Sequence, residues 1–242
     1  MAEVPDIKTL ADLLLRVDDP VREKDLVSTL QNLVVQIDPA EQRATDILSM
    51  IETVSDDKKK GQLMQVLGAS GNPKALPVLE SAINGSNPEL KKNAIKSVSL
   101  WPNEAPADML LTSAKKSKSE ASRILAYRGY LEVLSRNTNM SDQELLTRYE
   151  EALKIAPNQM EQKKVFSGLA QVENFAAAEL VAQYLNDTNL KSEAEVALIQ
   201  ILWQTIESSD REKSKKLTKA LIDNTNNNDV RSEALELIES LN

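Results

Sequence analysis

The chain contains no cysteine and no histidine among its 242 residues. Thiol nucleophiles, disulfides, imidazole bases and the usual zinc ligands are therefore excluded together, and most hydrolase and metalloenzyme designs go with them. Glycine is scarce, at 6 residues, and aromatic side chains make up only 3%. No glycine-rich phosphate-binding loop is present. No apolar run approaches the roughly 20 residues of a membrane span, and the opening MAEVPDIKTL lacks the basic and apolar regions of a secretory signal. The expectation is a soluble chain with no membrane insertion. It would be cytoplasmic, or periplasmic if it is a trimmed piece of an exported protein.

What remains is aliphatic and charged. Leu, Ala, Val and Ile supply most of the apolar side chains, and Glu and Lys most of the charge, a composition that favours helices packed through aliphatic faces. With 29 Lys plus Arg against 37 Asp plus Glu, the formal net charge is -8. A nucleic-acid partner would meet a repelling average field, so phosphate-backbone binding is disfavoured.

The organisation is repetitive. Leu90, Ala94, Val98 and Trp101 recur at helical spacing and form one stripe. Asn87 is placed to cap that helix, Pro88 sits at its start, and Pro102 disfavours its continuation. The same arrangement returns as Ser122-Arg123 with Ala126, Leu190-Lys191 with Ala194, and Val230-Arg231 with Ala234. From Ala94 the separations are 32, then 68 (two units of 34), then 40, the period range of helical-pair solenoids. Asp18, Pro20, Val21 and Arg22 form an earlier copy in which Asp25 replaces the small residue. Shorter apolar patterns over 75–83, 107–114, 145–155 and 176–185 serve as first helices. Turn and cap signals separate them at Asp38-Pro39, Asn72-Pro73, Asn84-Gly85-Ser86, Pro102-Asn103, 137–141, Pro157-Asn158 and 224–229. The spacing predicts about seven helix pairs in one domain spanning residues 1–242.

Asn72-Pro73-Lys74-Ala75-Leu76-Pro77-Val78-Leu79, a turn, then Asn87-Pro88-Glu89-Leu90-Lys91-Lys92-Asn93-Ala94 resembles a HEAT repeat. Pro77 matches the kinking proline often found in the first helix of that family, and Lys91 its basic position in the second. The resemblance is strongest over 72–134 and 173–206. It implies an all-α, right-handed α-α superhelix, with stacked pairs burying a continuous core and the second helices lining a concave surface. It further implies a non-catalytic scaffold or spacer that binds a protein partner, is monomeric and needs no cofactor or metal. The chain is also similar to HEAT segments of larger exported bacterial multidomain proteins.

Two enzyme readings follow from the same resemblance. HEAT-like alkylpurine DNA glycosylases use tryptophans with an acidic residue in a basic groove, and chromophore lyases are built from similar repeats. Trp101 lies seven residues after Ala94 and Trp203 nine after Ala194, so the two are not equivalent positions. The acidic balance opposes DNA as a substrate.

The remaining candidates each have a structural explanation. The recurring cations Arg22, Lys91, Arg123, Lys191 and Arg231 could form a phosphate ladder, but Asp18 and Asp187 stand four residues before Arg22 and Lys191, which favours local ion pairs. Lysine clusters at Lys58 to Lys60, Lys115 to Lys118 and Lys213 to Lys216 read as solvated helix ends. The adjacent carboxylates Asp18-Asp19, Asp56-Asp57 and Glu150-Glu151 point to different sides of a helix or act as caps. One anomaly points to function. With Ala194 inward, Val196, Ile199 and Trp203 fall on the opposite side at about 100° per residue, and Ile124 and Leu131 do the same beside Arg128. These six residues are the expected partner-contact surface, set against coverage by a neighbouring repeat.

Overall fold

A computed structural model describes residues 7–136 and 139–242, which contain fourteen α-helices, two short 3-10 turns and no strand. The first six residues of the opening stretch, and Asn137 and Thr138 of the break expected at 137–141, lie outside the described residues. The chain divides after Thr138 into two compact units.

The first unit holds four helix pairs: α1 (Ile7–Arg16) with α2 (Pro20–Val34), α3 (Thr45–Thr53) with α4 (Asp57–Ser70), α5 (Leu76–Asn84) with α6 (Pro88–Ser99), and α7 (Ala107–Lys116) with α8 (Glu120–Leu134). The second holds three: α9 (Asp142–Ile155) with α10 (Gln159–Leu169), α11 (Phe175–Ala182) with α12 (Lys191–Gln204), and α13 (Arg211–Asn224) with α14 (Asn228–Ser240). Every first helix contacts its own second helix. In the first unit α2 also packs on α4, α4 on α6 and α6 on α8, while in the second α10 packs on α12 and α12 on α14. Each second helix thus packs on its own first helix and on the second helix of an adjacent pair, and α4, α6 and α12 do so on both sides, the stacking of an all-α solenoid.

The helices begin where short polar side chains can satisfy free amides. Asn87 accepts from the backbone N–H groups of Glu89 (3.0 Å) and Leu90 (3.1 Å), with Pro88 at the first helical position. Asp19, Asp56, Ser119, Asn158, Asp210 and Asn227 do the same for α2, α4, α8, α10, α13 and α14. Ser141 and Glu144 form a reciprocal capping box on α9. Pro77 lies in the first turn of α5, directly after a 3-10 turn over Pro73–Ala75, so it starts the helix rather than kinking its interior. Ala94, Ala126, Ala194 and Ala234, the four residues marking the repeat, are fully buried, and Trp101 closes its stripe at 1% exposure.

Helix α4 lies where the repeat pattern is faint. At Gly68 an added Cβ would stand 2.2 Å from the Ser97 carbonyl oxygen, so a side chain there would force α4 and α6 apart. At the end of the same helix Gly71 takes φ 62, the left-handed conformation of a C-terminal cap. Of the lysines opening α4, Lys58 is exposed as expected of a solvated end, while Lys59 departs from that expectation. Lys59 is 12% exposed and donates to the Leu14 carbonyl (2.9 Å), to the Val17 carbonyl and to Glu23 Oε1 (2.6 Å), because α2 and the end of α1 surround it.

Candidate functional site

The recurring cations do not form a common anion site. Arg231 donates to the Thr225 carbonyl (2.6 Å) and Arg123 to the Ser117 carbonyl (3.5 Å), each reaching back six residues to the residue that ends the preceding first helix. Lys191 instead donates to the Asn224 carbonyl at the end of α13 (2.7 Å). These three side chains satisfy backbone carbonyls at helix C-termini, where a positive charge is favoured. The expected pairing of Asp187 with Lys191 is corrected: the Asp187 carboxylate accepts from the Asn189 and Leu190 amides at 2.8 and 3.1 Å, and the carboxylate near Lys191 is Glu195, at 3.7 Å. Arg22 and Lys91 make neither contact among the described residues.

The most perturbed titratable group belongs to a structural cluster. Glu23 is buried on α2, and hydrogen bonds from Lys58 and then Lys59 lower its carboxyl from 4.5 to about 2, against the opposing effect of burial. The Lys58 ammonium is raised chiefly by the same bond. Oε1 receives Lys58 (2.9 Å) and Lys59 (2.6 Å), while Oε2 receives Gln62 (2.9 Å). Both oxygens are occupied, and their ligands come from α4, so the carboxylate ties two helix pairs together. A second inter-pair bridge, Lys163 to Glu193 at 2.8 Å, joins α10 to α12. Asp19 and Asp56, from two of the adjacent-carboxylate sites, serve as caps. Among the described residues no group of three or more acidic side chains is placed to hold a metal ion.

The six expected contact residues separate into surface and interior. Arg128 is exposed, Val196 is 42% exposed, and Ile124 and Trp203 are half-buried. Ile199, at 2% exposure, and Leu131, at 8%, are packed inside, which corrects their assignment to an outer side. A single inward stripe is the wrong picture for these helices: α12 is covered by α10, α11, α13 and α14, and α8 by α6 and α7, so their apolar arcs are wide.

Each unit carries a small groove lined only by its second helices and the residues ending them. In the first unit Gln65, Lys96, Ser99, Leu100, Leu125, Arg128, Gly129 and Glu132 line a groove of about 380 Å³ between α6 and α8. Leu100 is 45% exposed there and Leu125 half-buried. In the second unit a groove of about 370 Å³ between α10 and α12 includes Phe166, Ala170, Glu193, Val196 and Gln200. The sequence reading reached Arg128 and Val196 but missed Leu100 and Leu125. Leu100 falls just beyond the end of α6, where helical periodicity no longer assigns a side.

No protein-family model and no curated protein matches the chain. Among solved structures, the chain is similar to the complex of CpcE and CpcF of phycocyanin lyase from Nostoc sp. PCC7120, at 18% identity and TM-score 0.42, covering 97% of this chain and 94% of that one. An engineered protein is similar at 15% identity and TM-score 0.33, with 98% and 96% covered.

Proposed function

We propose that the chain is a non-catalytic protein-interaction module, a segment of a longer scaffold or spacer that holds a protein partner on the free face of its second helices. The observation that carries this reading is the groove between α6 and α8. There Leu100 and Leu125 present apolar surface within a rim of Lys96, Arg128 and Glu132. Apolar surface left exposed inside a polar rim is the usual mark of a contact site. The saturation of Glu23 by three donors also fits a non-catalytic role, because the most perturbed carboxylate is committed to holding α2 against α4.

A photoreactive amino acid at position 100 tests the reading in cells that produce the chain. A discrete crosslinked protein, lost when excess unlabelled chain competes, is the expected result. Crosslinking that is absent from position 100 while present at a first-helix control such as Lys219 would refute it.

A further inference from the structure

We infer that the groove between α1 and α2 is a self-association face, which takes the same face of a second copy of this chain across a two-fold axis. This goes beyond the partner-binding reading above, and it puts a weak symmetric dimer in place of the monomer that the HEAT resemblance implies.

Two observations carry it. The first is an apolar seam on an uncovered flank. Helix α2 packs chiefly on α1 and α4 among the described residues, whereas α4 and α6 each have a second helix on both sides. A solenoid pair with an open flank stays soluble by keeping that flank polar. Here the seam is aliphatic instead. Leu13, at 45% exposure, and the half-buried Val17 and Leu26 line a groove of about 280 Å³, with Thr29 at its edge.

The second is a pair of free opposite charges. Arg22 and Asp25 line the same groove, and both are exposed. Neither side chain makes an ion pair or a hydrogen bond among the described residues, although they stand three positions apart on α2. An acidic partner would satisfy Arg22 and be repelled by Asp25, and a basic partner would do the reverse.

A surface that complements this groove must therefore set an anion opposite Arg22, a cation opposite Asp25 and apolar side chains between them. The same face, turned through a two-fold axis, supplies all three. Arg22 of each copy then meets Asp25 of the other, while Leu13, Val17 and Leu26 pack across the axis. Both ion pairs stay at the rim, so no charge is buried without a partner. Helix α2 has 15 residues and is about 22 Å long, which holds the interface to the small end of the specific range and makes the dimer a weak one. None of these residues lines the groove between α6 and α8, so each dimer presents two such grooves.

Sedimentation equilibrium of the whole chain, over a concentration series reaching about 1 mM, tests the inference. The wild type should show a reversible dimer that weakens as salt is raised. Arg22→Asp and Asp25→Arg should each weaken self-association by about tenfold or more, because each single variant sets like charges against one another. An equimolar mixture of the two single variants should associate again as a heterodimer, and the double variant Arg22→Asp/Asp25→Arg should associate as the wild type does. Lys24→Asp makes the same change in net charge as Arg22→Asp at an exposed position outside the groove, and it should leave the dimer unchanged. Unchanged thermal melts of all variants keep the comparison about association. A wild-type chain that stays monomeric throughout the series overturns the inference. So does a dimer that the single variants leave intact, or one that they weaken and their mixture fails to restore. In each of these cases the crosslinking test at position 100 still stands by itself.

Discussion

Replacing Glu23 by glutamine keeps the shape of the side chain and removes the charge that Lys58 and Lys59 share. The wild-type carboxyl is a stronger acid in the folded chain, at about 2, than its ordinary value of 4.5. Protonation therefore costs the folded state more than the unfolded one. At about 1.36 kcal/mol per unit, the full difference is about 3 kcal/mol, and solvent around the half-exposed Lys58 reduces the recoverable part to about 1–2 kcal/mol. That stabilisation is complete above pH 4.5 and is lost as the pH falls from there towards 2. Urea unfolding of wild type and Glu23→Gln across an acidic pH series measures it. The variant should be weaker by about 1–2 kcal/mol at neutral pH, with the gap closing below the ordinary carboxylate value. A gap that is absent at neutral pH, or constant down to the most acidic sample, would refute the assignment of this carboxylate as the tie between α2 and α4.

Gly68→Ala should destabilise by about 1–3 kcal/mol despite the better helix propensity of alanine, because the new methyl group meets the Ser97 carbonyl. A shift in urea midpoint towards greater stability would show that α4 and α6 are not in close contact there. Trp203→Ala, at a half-buried site, should cost about 1–2 kcal/mol, while Trp101→Ala at a fully buried one should cost about 3–5 kcal/mol. Equal losses in parallel thermal melts would contradict these placements.

Much of the fold was legible because the repeat is written in local chemistry. Asn87 and Pro88 start α6 where the cap signal puts them, and the four marker alanines are all interior. What escaped depends on residues distant in the chain. Lys59 looks like a surface lysine until Glu23, on another helix, supplies its counter-charge. Gly68 looks like a helix breaker until Ser97 occupies the space beside it. Ile199 looks outward when one stripe is assumed, whereas stacking covers several sides of α12. The candidate surface was legible in part for the same reason. Arg128 and Val196 lie mid-helix, where periodicity places a side chain; Leu100 lies past a helix end, where it does not.

The neighbour-on-neighbour stacking also bears on the time course of folding. Within each unit the well-packed helix contacts join helices no more than three steps apart in chain order. Loops closed during assembly are therefore short, the entropy lost before contacts form is small, and each unit should fold on the fast side for its size. Opening of the native state should likewise be graded. Amides of α4 and α6, flanked by pairs on both sides, should exchange with solvent far more slowly than those of α14, which packs chiefly on α12 and α13 among the described residues.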